Sequence, residues 1–292
     1  MDAYTDFANV YDTFMDETPY EVWGDFIVEL IEKYGLSKPV NAGVKENNRT
    51  SDQEHDVTND VSVETEEDSE EALNEEKNLV VELGCGTGSF TAIMARKGYD
   101  IMGIDMSEEM LQVARRKVTE QNLNVMFLEQ DMRELDLYCT CGTVLSVCDS
   151  INYLLEDEDV VTTFKLVNNF LFPKGIFIFD FNTLHKYRDV IGDVTIAENR
   201  EDCSFIWENY YHEDEHVNEY DLTIFAKCGE EDLFRKSVET HYQRGYELEE
   251  MISFVKESGL EFIEAIDADT HSVPTADSER VYIVAREKGK QC

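Results

Sequence analysis

The hydrophobic positions of this chain change period along its length. From Tyr4 to Phe14, and from Val22 to Tyr34, they fall three and four residues apart (Val22, Trp23, Phe26, Ile27, Leu30, Ile31, Tyr34), which gives a helix one apolar stripe. Thr18 and Glu21 stand as a capping box around Pro19 at the first helical position, and Gly35 marks the stop. Beyond residue 78, short apolar runs alternate with amphipathic ones. Residues 79–83, 100–104, 125–129, 143–148 and 175–181 read as strands; 90–97, 107–121 and 157–171 read as helices. Gly98 ends the first of these helices. Ser107 caps the second with Glu108 and Glu109 in its first turn, and Pro173 stops the third. Apolar strands alternating with helices predict a doubly wound, mostly parallel α/β sheet.

The pattern then changes. Across 195–244 the segments 204–211, 217–226 and 234–243 are β-prone and separated by acidic turns, predicting a small antiparallel β subdomain inserted after strand five. A helix over 247–258, ended by Gly259, and strands over 261–265 and 280–286 return the chain to the main sheet and bring it to seven strands. The expected organisation is N-terminal helices over 1–39, a segment apart over 40–77, a core over 78–194, the subdomain over 195–246 and closing elements over 247–292.

That separate segment is a compositional break. Residues 41–78 carry 13 acids and three bases and no aromatic residue, too little apolar surface to offset ordering, so 40–77 reads as a disordered acidic insertion. The whole chain of 292 residues has a formal net charge of −39, and removing the insertion still leaves it strongly acidic. Such a charge disfavours nucleic acid and anionic membranes, whose affinity for proteins rests on Lys and Arg. No apolar run of about 18 residues occurs, and the start Met1-Asp2-Ala3-Tyr4 has no signal-peptide character. Seven cysteines without a framework spacing suggest a reduced, cytoplasmic setting. Cys139-x-Cys141 has no second ligand pair nearby, so no metal site is expected.

Candidate chemistry concentrates where the first apolar strand meets a helix. Val80-Val81-Glu82-Leu83-Gly84-Cys85-Gly86-Thr87-Gly88 is a strand running into a glycine-rich turn, where backbone can approach a ligand closely. The second strand ends in Asp105, a carboxylate able to accept both hydroxyls of a ribose. The residues therefore point to a nucleoside-containing ligand. The third glycine comes one position earlier than in the dinucleotide fingerprint, and Glu82 suits a cationic amine better than a diphosphate.

Glu82-x-Gly-x-Gly-x-Gly, followed by Gly103-Ile104-Asp105-Met106-Ser107-x-x-Met110-Leu111, resembles the signature of class I S-adenosylmethionine-dependent methyltransferases with a Rossmann-like fold. The resemblance implies that Gly84, Cys85, Gly86 and Gly88 shape the loop around the methionine part, with Glu82 supporting it. Asp105 would hold the ribose, Met106 pack on adenine, and Asp131 and Met132 form its edge. Cys148 and Asp149, at the end of strand four, would lie beside the sulfonium and the acceptor. The opening Tyr4-x-x-Phe7-Ala8-x-x-Tyr11-Asp12 and the segment Glu239-Thr240-His241-Tyr242-Gln243-Arg244 resemble a bacterial subgroup related to small-molecule N-methyltransferases. In that subgroup an N-terminal helix covers the cofactor, here with Tyr11 or Trp23, and the added sheet roofs the acceptor pocket. His241, Tyr242, Arg244 and Asp149, with Asn182 near them, are then the candidates for acting on the acceptor. The expected activity is methyl transfer from S-adenosyl-L-methionine to a small-molecule acceptor at nitrogen or oxygen, by a monomer or homodimer. Alternatives are an RNA-base methyltransferase, a non-catalytic S-adenosylmethionine-binding regulator and an NAD-dependent oxidoreductase.

Overall fold

The computed structural model describes residues 4–40, 66–229 and 233–290. Helices α1 (Tyr4–Phe14) and α2 (Tyr20–Tyr34) open the chain. The start of α2 corrects the capping expectation. Pro19 occupies the N-cap position with no side-chain cap, while Thr18 closes a tight turn: its carbonyl accepts the Tyr20 amide at 2.8 Å and its hydroxyl faces the Met15 sulfur at 3.7 Å. The expected disordered segment lies outside the described residues over 41–65. Its C-terminal end departs from the expectation, because Glu66–Asn78 forms helix α3. Glu, Ala and Leu give this stretch helix propensity without a core-facing stripe, and polar contacts fix its end. The Ser37 hydroxyl donates to the Lys77 carbonyl (3.2 Å), the Lys38 amide donates to the Asn78 side chain (3.1 Å), and Thr140 bonds Glu76.

The alternating pattern follows: β1 (Val80–Leu83), α4 (Ser89–Arg96), β2 (Ile101–Asp105), α5 (Glu108–Glu120), β3 (Met126–Glu129), β4 (Cys141–Ser146), α6 (Asp157–Phe170) and β5 (Leu171–Asn182). The strands β6 (Thr195–Asn199), β7 (Cys203–His212), β8 (Val217–Lys227) and β9 (Phe234–Arg244) form a separate four-stranded antiparallel sheet in chain order. Helix α7 (Leu248–Glu257) and strands β10 (Glu261–Asp267) and β11 (Arg280–Arg286) complete the main sheet. That sheet has seven strands in the order β10-β11-β5-β4-β1-β2-β3, with β11 antiparallel to both neighbours. The fold class is therefore the doubly wound, mostly parallel Rossmann-like one.

Alternate residues of the central strands feed two cores. Val81, Leu83, Val144, Phe177 and Phe179 pack under Val160, Phe164, Met251 and Val255 of α6 and α7. Val80, Leu145, Ile176 and Ile178 pack under Ile27, Leu30, Phe90, Met94 and Leu111 of α2, α4 and α5. Both strand faces are covered, which is why these strands read as unbroken apolar runs. The order reverses between β1 and β4, so their C-terminal ends open a crevice, the place where open α/β sheets take ligands. Helix α1 fills the space between α5 and the antiparallel sheet: Tyr11 packs against Ala8, Met110 and Val113, while Val10 meets Tyr220, Leu222 and Ile224.

The entry to β4 allows no side chain. A first side-chain carbon at Gly142 would sit 1.8 Å from the Lys77 carbonyl oxygen and 2.5 Å from the Ser37 hydroxyl. Gly142→Ala should cost about 3 kcal/mol of stability through overpacking. Urea unfolding measures it; an unchanged midpoint would show that the α3–β1 junction yields freely.

Candidate active site

Gly84, Gly86 and Gly88 have φ of 69°, 52° and 69°, a left-handed region that residues with a side chain rarely adopt. A first carbon at Gly84 would come within 2.5 Å of the Ser150 hydroxyl, whereas at Gly86 nothing lies within 4 Å. The middle glycine therefore faces open space at the crevice. Beneath the loop, Glu82 is buried and accepts the Thr91 hydroxyl of α4, and burial pushes its carboxyl up to about 8. Burial likewise raises the Cys85 thiol. On the other side Asp105 binds the loop directly: one oxygen accepts the Gly86 amide (2.8 Å), the other the Ser107 amide (2.9 Å). Burial raises Asp105 and those amides oppose the rise. Ser107 caps α5 as expected, accepting from Met110 N at 3.3 Å. Met106 is 68% exposed just past Asp105, and Met132 reaches toward Gly84. The Asp131 carboxylate is engaged by Arg133, at 3.0 Å from Nε and 2.6 Å from Nη2, which holds it below the usual carboxylate range.

The opposite wall comes from the ends of β4 and β5. Asp180 is fully buried and accepts the backbone amides of Cys148 (3.2 Å) and Asp149 (2.7 Å). Both of those residues have positive φ, 61° and 54°. Arg280 of β11 donates to Asp149 (2.6 Å), lies 3.5 Å from Asp180, and sits over the Trp23 ring at 5.4 Å. Burial pushes Asp180 up to about 6; Arg280 pulls it back and Asp149 adds to the rise. Burial acts to lower Arg280, but the two carboxylates outweigh it and its pKa is raised. The Cys148 thiol is driven well above the ordinary thiol range by burial and then by Asp180, so it is no thiolate.

The antiparallel sheet and α1 roof this crevice. Asp12 of α1 accepts from Thr87 (2.6 Å) and Ser89 (3.1 Å) of the glycine loop and pairs with Lys117 of α5 at 2.8 Å. Tyr11, one residue earlier, is half-buried near Tyr20, Cys148, Asp149 and Tyr153; desolvation is the first cause that raises its pKa. The pleat of β9 turns Glu239, His241 and Gln243 inward. Gln243 donates to Asp149 (2.8 Å) and accepts from the Tyr187 hydroxyl (3.0 Å), which itself accepts from Asn182 Nδ2 (3.0 Å).

The same pleat corrects two expectations. Tyr242 points outward, 44% exposed, with its hydroxyl 3.5 Å from Glu219. Arg244 pairs with Asp157 (2.6 Å) and Glu250 (3.3 Å) at the start of α6 and α7, away from the crevice. Sequence reasoning missed Asp180, Arg280, Gln243 and Glu239. The signal for Asp180 was a carboxylate inside the apolar run Ile176-Phe177-Ile178-Phe179-Asp180-Phe181, and for Arg280 a cation opening an apolar strand.

Fold and crevice together define a class I S-adenosylmethionine-dependent methyltransferase. A family model described as a methyltransferase domain matches residues 80–175. The protein named Putative methyltransferase YqeM from Bacillus subtilis (strain 168) is 33% identical over 285 residues, covering 97% of this chain and 96% of that protein. A solved S-adenosylmethionine-dependent methyltransferase from Clostridium acetobutylicum ATCC 824 superposes with TM-score 0.75 at 23% identity, covering 99% of this chain and 100% of that one. The sugar N-methyltransferase KedS8 from Streptoalloteichus sp ATCC 53650 does so with TM-score 0.59 at 15% identity, covering 83% and 100%. This chain belongs to the methyltransferase family, and its cofactor is S-adenosylmethionine. The residues present fit that group: space in front of Gly86, the Asp105 carboxylate bound to the Gly86 amide beside it, and exposed Met106.

Two outcomes follow from the loop. Glu82 carries a raised folded-state pKa, so between 4.5 and about 8 the folded chain keeps a proton that the unfolded chain releases, and stability falls as pH rises through that window. Glu82→Gln removes this dependence, so melts across the window should show the parent losing ground to the variant as pH rises; parallel curves would contradict the raised pKa. Asp105→Ala should weaken S-adenosylmethionine binding by roughly ten- to several-hundred-fold, and Asp105→Asn by an intermediate factor, since charge-assisted bonds contribute about 1.5–3 kcal/mol each. Calorimetric affinity equal to the parent's would remove Asp105 from the cofactor site.

Proposed function

We propose that this methyltransferase acts on a small-molecule acceptor, at nitrogen or oxygen, in the cytoplasm. The observation that carries this reading is the roof. The inner face of β7–β9 and helix α1 close over the Cys148–Asp149 edge of the crevice, so that Tyr11, Tyr153, Tyr187 and Gln243 gather around Asp149. A roof of this kind over the crevice favours a metabolite over a folded nucleic acid, and the net charge of −39 repels phosphates.

In this proposal Gly84, Cys85, Gly86 and Gly88 cradle the cofactor, with Glu82 and Asp105 bracing the loop. Met106, Met132 and Asp131 border its base, and Tyr11 and Cys148 line its methionine end. S-adenosylmethionine, when bound, supplies a methyl carbon already attached to a good leaving group, so the protein's work is alignment and exclusion of water. Asp149 is held at a fixed angle by Arg280 and by Gln243, and Tyr11 and α1 shut out solvent. His241 serves as acceptor anchor or as proton acceptor on its imidazole, needed where the acceptor arrives protonated or as a hydroxyl.

The test combines two measurements. Calorimetry should show S-adenosylmethionine and S-adenosylhomocysteine binding and NAD not binding. Incubation with methyl-labelled S-adenosylmethionine and a metabolite extract should place the label in low-mass products identified by mass spectrometry. Label found in RNA alone would overturn the small-molecule reading.

A further inference from the structure

The inner face of β9 carries a buried carboxylate that the cofactor crevice does not explain. Glu239, His241 and Gln243 are 4%, 6% and 4% exposed. Gln243 is accounted for by Asp149 and Tyr187. Neither oxygen of Glu239 accepts a hydrogen bond from a described residue, and one of them lies 3.3 Å from the His241 ring nitrogen. Buried carboxylates are costly without donors, and native structures satisfy nearly all of them. On the same row of the sheet, with Leu222 between them, lies Trp207. Its buried indole Nε1 has no acceptor among the described residues. The side walls are aromatic: Tyr220 stacks on His241 at 4.9 Å and 15°, and lies 5.0 Å from Trp207.

An acceptor short of donors, a donor short of an acceptor, and π faces around them describe one kind of ligand. A carboxylate and aromatic rings together favour a cation. The geometry points to Glu239 as the anchor for a protonated amine on the methyl acceptor, with Trp207 Nε1 donating to an oxygen beside that amine. This rests on the methyl-transfer reading of the pocket and adds the charge class of the acceptor to it. At a strand rise of about 3.3 Å per residue, Glu239 lies roughly 13 Å along β9 from Gln243. It therefore selects and holds the acceptor, and does not touch the bond being made.

The experiment uses the full chain, methyl-labelled S-adenosylmethionine and a metabolite extract split on a cation exchanger at neutral pH. Label should enter the retained, cationic fraction. Glu239→Gln should lower that labelling roughly 10- to 100-fold at limiting extract, through KM more than kcat, and Glu239→Asp should recover part of it. Trp207→Phe should lower it by a smaller factor. Calorimetric affinity for S-adenosylmethionine should stay at the parent's value in all three variants. Label confined to the unretained fraction, or Glu239→Gln equal to the parent, overturns the anchor while leaving methyl transfer intact. Cofactor binding with no label in any fraction overturns both. The parent's own fractionation decides the charge class even where a variant does not fold.

Discussion

At the C-terminal ends of β4 and β5, one buried carboxylate sets the geometry on which the crevice depends. Asp180 accepts the amides of Cys148 and Asp149 and thereby holds both in a left-handed conformation that residues with side chains otherwise avoid. The turn that follows is placed by this constraint. Ser150 reaches the Gly84 carbonyl (3.2 Å), and Asn152 donates to the carbonyls of Asn182 (2.9 Å) and Arg244 (2.6 Å). Glycine loop, main sheet and roof thus meet through a few residues behind a single side chain. Asp180 can be buried because β11 pairs with β5 in a register that sets Tyr282 against Asp180 and Arg280 against Asn182, bringing a guanidinium to the carboxylates. Without that cation a carboxylate in this position would be strongly destabilising.

The charge balance of the crevice follows. Glu82, with its carboxyl pushed up to about 8, is mostly neutral at neutral pH, while one arginine faces both Asp149 and Asp180. With Asp105 added, the cleft carries net negative charge. That field suits a cofactor whose reactive atom is a cationic sulfur, and it opposes polyphosphates.

Much of this was legible from local pattern. The period of the apolar runs marked the alternation of β1 through β5, and the spacing from Gly84 to Gly88 with Asp105 marked the cofactor loop, because those features depend on neighbours within about thirty residues. What was not legible depends on contacts across the sheet. Asp180 and Arg280 are adjacent only through strand pairing. Strand β6 was missed because it is exposed almost throughout and shows no buried alternation. On β9 the pattern is inverted: Val238 and Tyr242 face outward at 50% and 44% exposure, while Glu239, His241 and Gln243 face in. The resemblance named His241, Tyr242 and Arg244 together without regard to the pleat, which sends Tyr242 and Arg244 to the opposite face from His241. The acidic helix α3 was missed for a related reason, since polar capping contacts hold it where an apolar stripe was sought.

Helix α1 touches both halves of the site at once. Its Asp12 is tied to Thr87, Ser89 and Lys117 at the cofactor loop, and its Val10 is packed on Tyr220, Leu222 and Ile224 of the roof. A single element bearing on two pockets makes them thermodynamic partners: any factor by which one occupant tightens this helix's grip on the other must be returned in equal measure. Whatever binds at the cofactor loop and whatever binds under the roof would thus bear on the same eleven-residue helix.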